Sequence, residues 1–161
     1  MNWEAISAIG QIVGAVAVVI SLIYLAREIR SNARVARVGW LETFIGWLGQ
    51  LTERPHLSEL YYRGIYDFES LKGADLVRFS ALLNQCFHIF SEIYYQRLEG
   101  NLDPRVWREA DVALRELIAY PGIQAWWRLR SHWFSAEFVK HINDLQQQAG
   151  APRMFREPKD R

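Results

Sequence analysis

From Ala5 to Ala26 the chain reads AISAIGQIVGAVAVVISLIYLA, with no charged residue among the 22. A helix needs about 20 predominantly apolar residues to cross the hydrocarbon core of a bilayer. The stretch therefore reads as a membrane-spanning helix, and the charged, aromatic remainder of the chain as a domain hung from that helix. The predicted fold class is all-α: a single N-terminal transmembrane helix followed by a cytoplasmic helical bundle of about four to five helices.

The stretch has two unlike faces. Steps of three and four from Ser7 pass through Gly10, Gly14, Ala17, Ser21 and Tyr24, with Gln11 beside the row. The other side carries Ile9, Ile12, Val13, Val16, Val19, Ile20 and Ile23. Lipid tails are as apolar as these side chains, so burial from water cannot drive helix pairing inside a bilayer. Small residues let two backbones approach and gain dispersion contacts. Ser7, Gly10, Gln11, Gly14, Ala17, Ser21 and Tyr24 thus form the candidate packing face, its partner either a second copy or a foreign helix. A repeat near 3.5 residues also favours left-handed supercoiling.

Orientation follows from the basic residues. No Lys or Arg precedes the stretch, while Arg27, Arg30, Arg34 and Arg37 come closely after it. The positive-inside rule places the amino terminus outside and residues from about 27 onward in the cytoplasm, with the arginines at the lipid headgroups. A signal peptide would need a basic start and a shorter apolar core, so the segment reads as an uncleaved anchor.

The net charge of +1 argues against a nucleic-acid binder, which carries a basic surplus. A single cysteine, Cys86, excludes an internal disulfide and suits a reducing compartment. Domain boundaries are expected at 1–30 for the anchor and its arginines, 31–148 for the bundle and 149–161 for a polar, solvated tail. That tail carries Arg153, Arg156, Lys159 and Arg161, diluted by Glu157 and Asp160.

The anchor is expected to run on as helix through the arginines, with Ser31-Asn32 as a point where it can bend or be interrupted. One row runs Val35, Val38, Leu41, Ile45 and Leu48, and a second runs Trp40, Phe44, Trp47 and Leu51. Two apolar rows predict a helix covered on most sides. Gly39, Gly46 and Gly49 weaken it but permit a close neighbour. Pro55 ends it, and His56–Tyr66 reads as a short helix or turn. From Asp75 to Leu98 the row Leu76, Phe79, Leu83, Cys86, Phe90 and Ile93 keeps the spacing without a miss, with Gly100-Asn101 as the stop. Asp103-Pro104 opens the next helix, whose inner row is Trp107, Ala110, Leu114 and Leu117. Pro121-Gly122 breaks the chain, Ile123 through Phe134 reads as one further helix, and Ser135 caps a last one through about Gln148. No stretch keeps a period of two, so strands are not expected.

Candidate chemistry is sparse. His88 and Glu92, and likewise Glu137 and His141, are four apart on helices, and imidazole with carboxylate on facing helices is how bundle metal sites are built. Neither pair fits the Glu-x-x-His spacing of the di-iron pattern, so no metal, cofactor or catalytic residue is assigned and the pairs read as surface ion pairs. Cys86, in an apolar row, reads as a small core residue. The run from Trp126 to Phe134 reads first as core, second as a partner surface through Trp126, Trp127, Arg128, Arg130 and Trp133, since Trp and Arg are enriched among interface anchors, and third as a helix lying at a headgroup layer.

The residues Ala8-Ile9-Gly10, Gly14-Ala15, Val18 through Ala26 and Ile29-Arg30-x-Asn32 resemble the start of a group of small bacterial membrane proteins. Later positions are similar in spacing: Tyr95-Gln96, Gly100, Trp107, Pro121-Gly122, Trp126-Trp127 and Phe138. The resemblance implies a bacterial inner-membrane location and carries over no catalytic residue.

Three functions fit these readings. The first is a non-enzymatic structural or accessory membrane protein, joined to lipid, to itself or to a larger membrane complex. The second is an oligomeric pore lined by Ser7, Gln11, Gly14 and Ser21, polar but uncharged and so weakly selective. The third is a membrane-tethered metal-dependent enzyme using His88 or His141.

Overall fold

The computed structural model describes residues 3–155, with side chains for 11, 14–25 and 39–155. The described chain is all-helical, with no strand. Its elements are α1 (Trp3–Glu53), α2 (Pro55–Tyr66), α3 (Gly73–Leu98), α4 (Pro104–Ile118), α5 (Pro121–Arg130) and α6 (Ala136–Gln148). Single 3-10 turns at Phe68–Ser70 and Ser131–Trp133 lead into α3 and α6.

The boundaries have local causes. Proline opens α2, α4 and α5, where its missing N–H costs nothing and its fixed φ suits the first turn. The Asp103 carboxylate accepts from the Arg105 N–H at 2.8 Å, and Ser135 Oγ accepts from the Phe138 N–H at 3.2 Å, so α4 and α6 are capped. Beyond α3 the chain turns at Gly100, whose φ of +75° lies in the left-handed region that a Cβ disfavours.

The C-terminal third of α1 lies along α3, which runs back antiparallel to it. Phe44 meets Phe90 at 5.4 Å between ring centroids, and the Trp47 indole N–H donates to the Leu82 carbonyl at 2.9 Å. Helices α2, α4 and α5 close the other sides, and α6 lies on α4. At the core, Phe87 stacks on Trp127 at 4.9 Å and lies 5.3 Å from Trp126. Such aromatic pairs add about 0.5–1.5 kcal/mol each beyond their area term. The α3 row is buried at Phe79, Leu83, Cys86, Phe90 and Ile93 and half-buried at Leu76; Trp107, Ala110, Leu114 and Leu117 face inward from α4. Helices α2 and α5 cross with their backbones nearly touching. A Cβ at Gly122 would collide with the Gly64 carbonyl and come within 2.8 Å of the Ile65 carbonyl carbon and oxygen.

The helix runs on through the arginines and through Ser31-Asn32 within the 51-residue α1. Three expectations are corrected. First, α1 is not covered on most sides. Phe44, Trp47 and Leu51 are buried, but Leu41 is 48% and Ile45 56% exposed, since no described element packs there. The helix expected from Ile123 to Phe134 ends at Arg130, and a 3-10 turn redirects the chain into α6. Of the tail, residues 149–155 are described and are not simply solvated, while Arg156, Lys159 and Arg161 lie outside the described residues. Phe155 is half-buried against Tyr61 and Tyr120, at 5.7 and 6.0 Å, and its N–H donates to Tyr120 Oη at 2.7 Å. An isolated Phe among polar residues offers no periodicity from which to foresee that docking.

Among the described residues, no helix is long and apolar enough to cross a membrane. Within the uncharged stretch the described side chains are those of 11 and 14–25.

Candidate functional site

The residues expected to form a packing face lie on the N-terminal half of α1. The side chains of Ser7 and Gly10 fall outside the described residues, as do those of Arg27, Arg30, Arg34 and Arg37. Gln11, Gly14, Ala17, Ser21 and Tyr24 are all exposed. A Cβ built at Gly14 meets nothing within 4 Å. Ser21 Oγ donates to the Ala17 carbonyl at 2.9 Å, which satisfies the hydroxyl within its own helix. The opposite face is equally bare: Val16, Val19, Ile20 and Ile23 are at least half exposed. Exposure therefore does not tell one face from the other, and no described part of the chain covers either.

Where α1 joins the bundle, a groove of about 670 Å³ opens between it and α3. Trp40, Ile89 and Ile93 form its apolar wall, Gly39 and Thr43 its α1 edge, and Gln85, His88, Glu92 and Gln96 its polar rim. The Trp40 indole N–H is buried without an acceptor. Pockets of this volume, apolar with a few polar groups, are the usual form of binding sites.

The two His–Glu pairs do not meet. His88 lies 4.8 Å from Phe134 between ring centroids, and Glu92 accepts from Gln96 Nε2 at 3.0 Å. Glu137 is exposed at the start of α6. His141 is stacked 4.9 Å from Tyr94 and 5.4 Å from Trp107, with Nε2 3.3 Å from Asp111 Oδ1 but without hydrogen-bond alignment. Burial lowers its pKa below the usual imidazole value; Asp111 opposes the shift, while Arg97 and Arg115 add to it. Among the described residues no three His, Cys, Asp or Glu side chains are placed to hold a metal ion. Cys86 is fully buried, and burial pushes its thiol well above the ordinary range, so it stays protonated and unreactive.

Of the expected partner surface, Trp126 and Trp127 are core residues, 0% and 1% exposed. Adjacent positions on one helix point about 100° apart, so burying both requires cover on two sides of α5. Phe87 supplies part of it, and Phe134 and Phe138 enclose Trp127, whose indole N–H donates to Asn143 Oδ1 at 3.1 Å. What remains outside is Arg128, Leu129 and Trp133, with half-buried Arg130 lying 5.2 Å over the Trp133 ring.

A second, smaller cavity was not foreseen from sequence. It lies farther along α1 and α3, adjoining the groove at Gln85, and is lined by Gln50, Arg54, His56, Leu57, Arg78, Ala81, Leu82 and Gln85. Its residues come from α1, α2, α3 and the α1–α2 junction, so no local spacing announces it.

The chain matches no family model, no curated protein and no solved structure.

Proposed function

We propose that this is a non-enzymatic, single-pass membrane protein. It acts as a structural or accessory subunit, with the N-terminal half of α1 as anchor and assembly element and the bundle as a cytoplasmic docking body. The observation that carries the reading is the division of α1. One helix of 51 residues buries Phe44, Trp47 and Leu51 of its last third in the bundle core, while its large apolar residues from 16 to 25 are at least half exposed. Water is a poor solvent for such a surface at about 25 cal/mol per Å², and a bilayer is a good one. The full uncharged run from Ala5 to Ala26 has the length for a span. The arginines at 27, 30, 34 and 37 favour a cytoplasmic bundle, and the resemblance of the first 32 residues favours a bacterial inner membrane.

The assembly part of the reading rests on glycines. Gly14, Gly39, Gly46 and Gly49 lie within α1, each costing about 1 kcal/mol relative to Ala. A Cβ at any of them would meet nothing within 4 Å, so packing inside the chain does not account for them. Close approach by another helix does, and exposed Leu41 and Ile45 supply apolar contact on the same helix.

The test is the mass and composition of the intact particle, extracted gently from its native membrane. A defined multiple of this polypeptide supports self-assembly, co-purification with other subunits supports the accessory role, and a water-soluble monomer overturns the proposal. Gly14→Leu is expected to disrupt assembly where Val16→Leu does not. Identical particles from both variants would remove the small-residue row as the contact.

A further inference from the structure

Farther along α1 from the uncharged stretch, the end of this helix, the start of α2 and the first half of α3 enclose the cavity of about 240 Å³. Leu57, Ala81 and Leu82 form its apolar floor. Its polar lining is Gln50, Arg54, His56, Arg78 and Gln85: every one of these can donate a hydrogen bond, and no carboxylate is among them. Arg54 and His56 make no ion pair among the described residues. Arg78 approaches Asp75 Oδ1 only at 3.7 Å, while the other oxygen of that carboxylate is held by Arg63 at 2.5 Å. One carboxylate thus serves two guanidiniums, and the cavity keeps a positive surplus. Gln50 donates to Gln85 at 3.2 Å, tying α1 to α3 across the lining.

We propose that this cavity binds a small phosphorylated solute, its phosphate held by Arg54 and Arg78 and any apolar portion resting on Leu57 and Leu82. Guanidinium matches phosphate geometry through paired N–H donors, and two such groups line one pocket that has no carboxylate in its own lining. The source of the phosphate is soluble. Arg54 stands 28 residues past Ala26, which at 1.5 Å per residue is about 42 Å along the chain's helical path from the uncharged stretch. A headgroup of a bilayer surrounding that stretch does not reach it. The inference holds whether or not the stretch spans a membrane, because the cavity belongs wholly to the bundle.

The test is calorimetric titration of the full chain in a neutral detergent with sodium pyrophosphate, against sodium chloride of equal ionic strength. Saturable binding of pyrophosphate is expected, weakened at least tenfold in each of Arg54→Gln and Arg78→Gln and unchanged in Arg108→Gln, which lies outside the cavity. Both cavity arginines are exposed, so folding of the variants is not at stake; retained far-ultraviolet circular dichroism checks it. Wild-type affinity in both variants, or heat no larger than that of chloride, would overturn the proposal. A repeat in nanodiscs with and without phosphatidic acid separates the two phosphate sources. Equal pyrophosphate affinity in both is expected, and competition by the anionic lipid would overturn the soluble source.

Discussion

Val16, Ile20 and Ile23 share a helix with Phe44, Trp47 and Leu51, yet the first three are 50–61% exposed and the second three at most 9%. Apolarity alone does not decide between those fates. The second set meets α3 and α2, which supply an interlocked aromatic surface and a carbonyl for the Trp47 indole N–H. The first set meets no described element. A core is therefore made by partners as much as by the side chains that enter it, and the bundle closes without help from the N-terminal half of α1.

The comparison is broken most forcefully at Trp47. Trp47→Ala is expected to cost about 3–5 kcal/mol, the range for deleting a fully buried aromatic side chain. Denaturant unfolding of the full chain in detergent measures it, and Val18→Ala on the same helix should fall within about 0.5 kcal/mol of wild type. Glycine sharpens the contrast by changing sign. Gly122→Ala drives a methyl into the α2 backbone and is expected to destabilise by about 1–3 kcal/mol. Gly39→Ala enters open space and should stabilise the monomer by up to about 1 kcal/mol through helix propensity alone. A Gly122→Ala protein as stable as wild type would show that α2 and α5 do not cross so closely.

Smaller effects sit at the periphery of the bundle. Phe155→Ala removes a half-buried ring from Tyr61 and Tyr120 and is expected to cost about 1–2 kcal/mol, readable in the unfolding midpoint. The smallest is the acid dependence set by His141. Its folded-state pKa lies below the ordinary imidazole value of about 6.5, so below that pH the unfolded chain binds more protons than the folded one. Stability is then full above about pH 6.5 and declines as pH falls toward the folded-state pKa. His141→Gln should flatten that slope, and an unchanged slope would place its origin in the carboxylates.

Helix positions were legible in the sequence where apolar spacing and boundary residues agreed. From Phe79 to Ile93 one row shows the inner face of α3, and Asp103-Pro104 marks the start of α4 to the residue, while Pro55 and Pro121, read as breaks, turn out to be the first residues of α2 and α5. Legibility failed where the cause is long-range. Trp126 and Trp127 read first as core, yet their spacing does not name Phe87, about forty residues earlier in the chain, as the ring brought against both. Phe155 stands alone in a polar tail, and its partners Tyr61 and Tyr120 come from distant helices. The basic cavity was invisible for the same reason, since Arg54 and Arg78 are separated by the whole of α2. The small-residue row could be read, but spacing shows only a face and says nothing of who covers it.

The unbroken backbone of α1 also has a mechanical consequence. In the proposed arrangement, with its first half seated in a bilayer, the helix would be a lever with one arm built into the bundle at Trp47. Helices meet changes in bilayer thickness by tilting, and a change of about 10° would carry Trp47, roughly 30 Å beyond Ala26, sideways by roughly 5 Å. The thickness of the membrane would then set where the bundle stands over it.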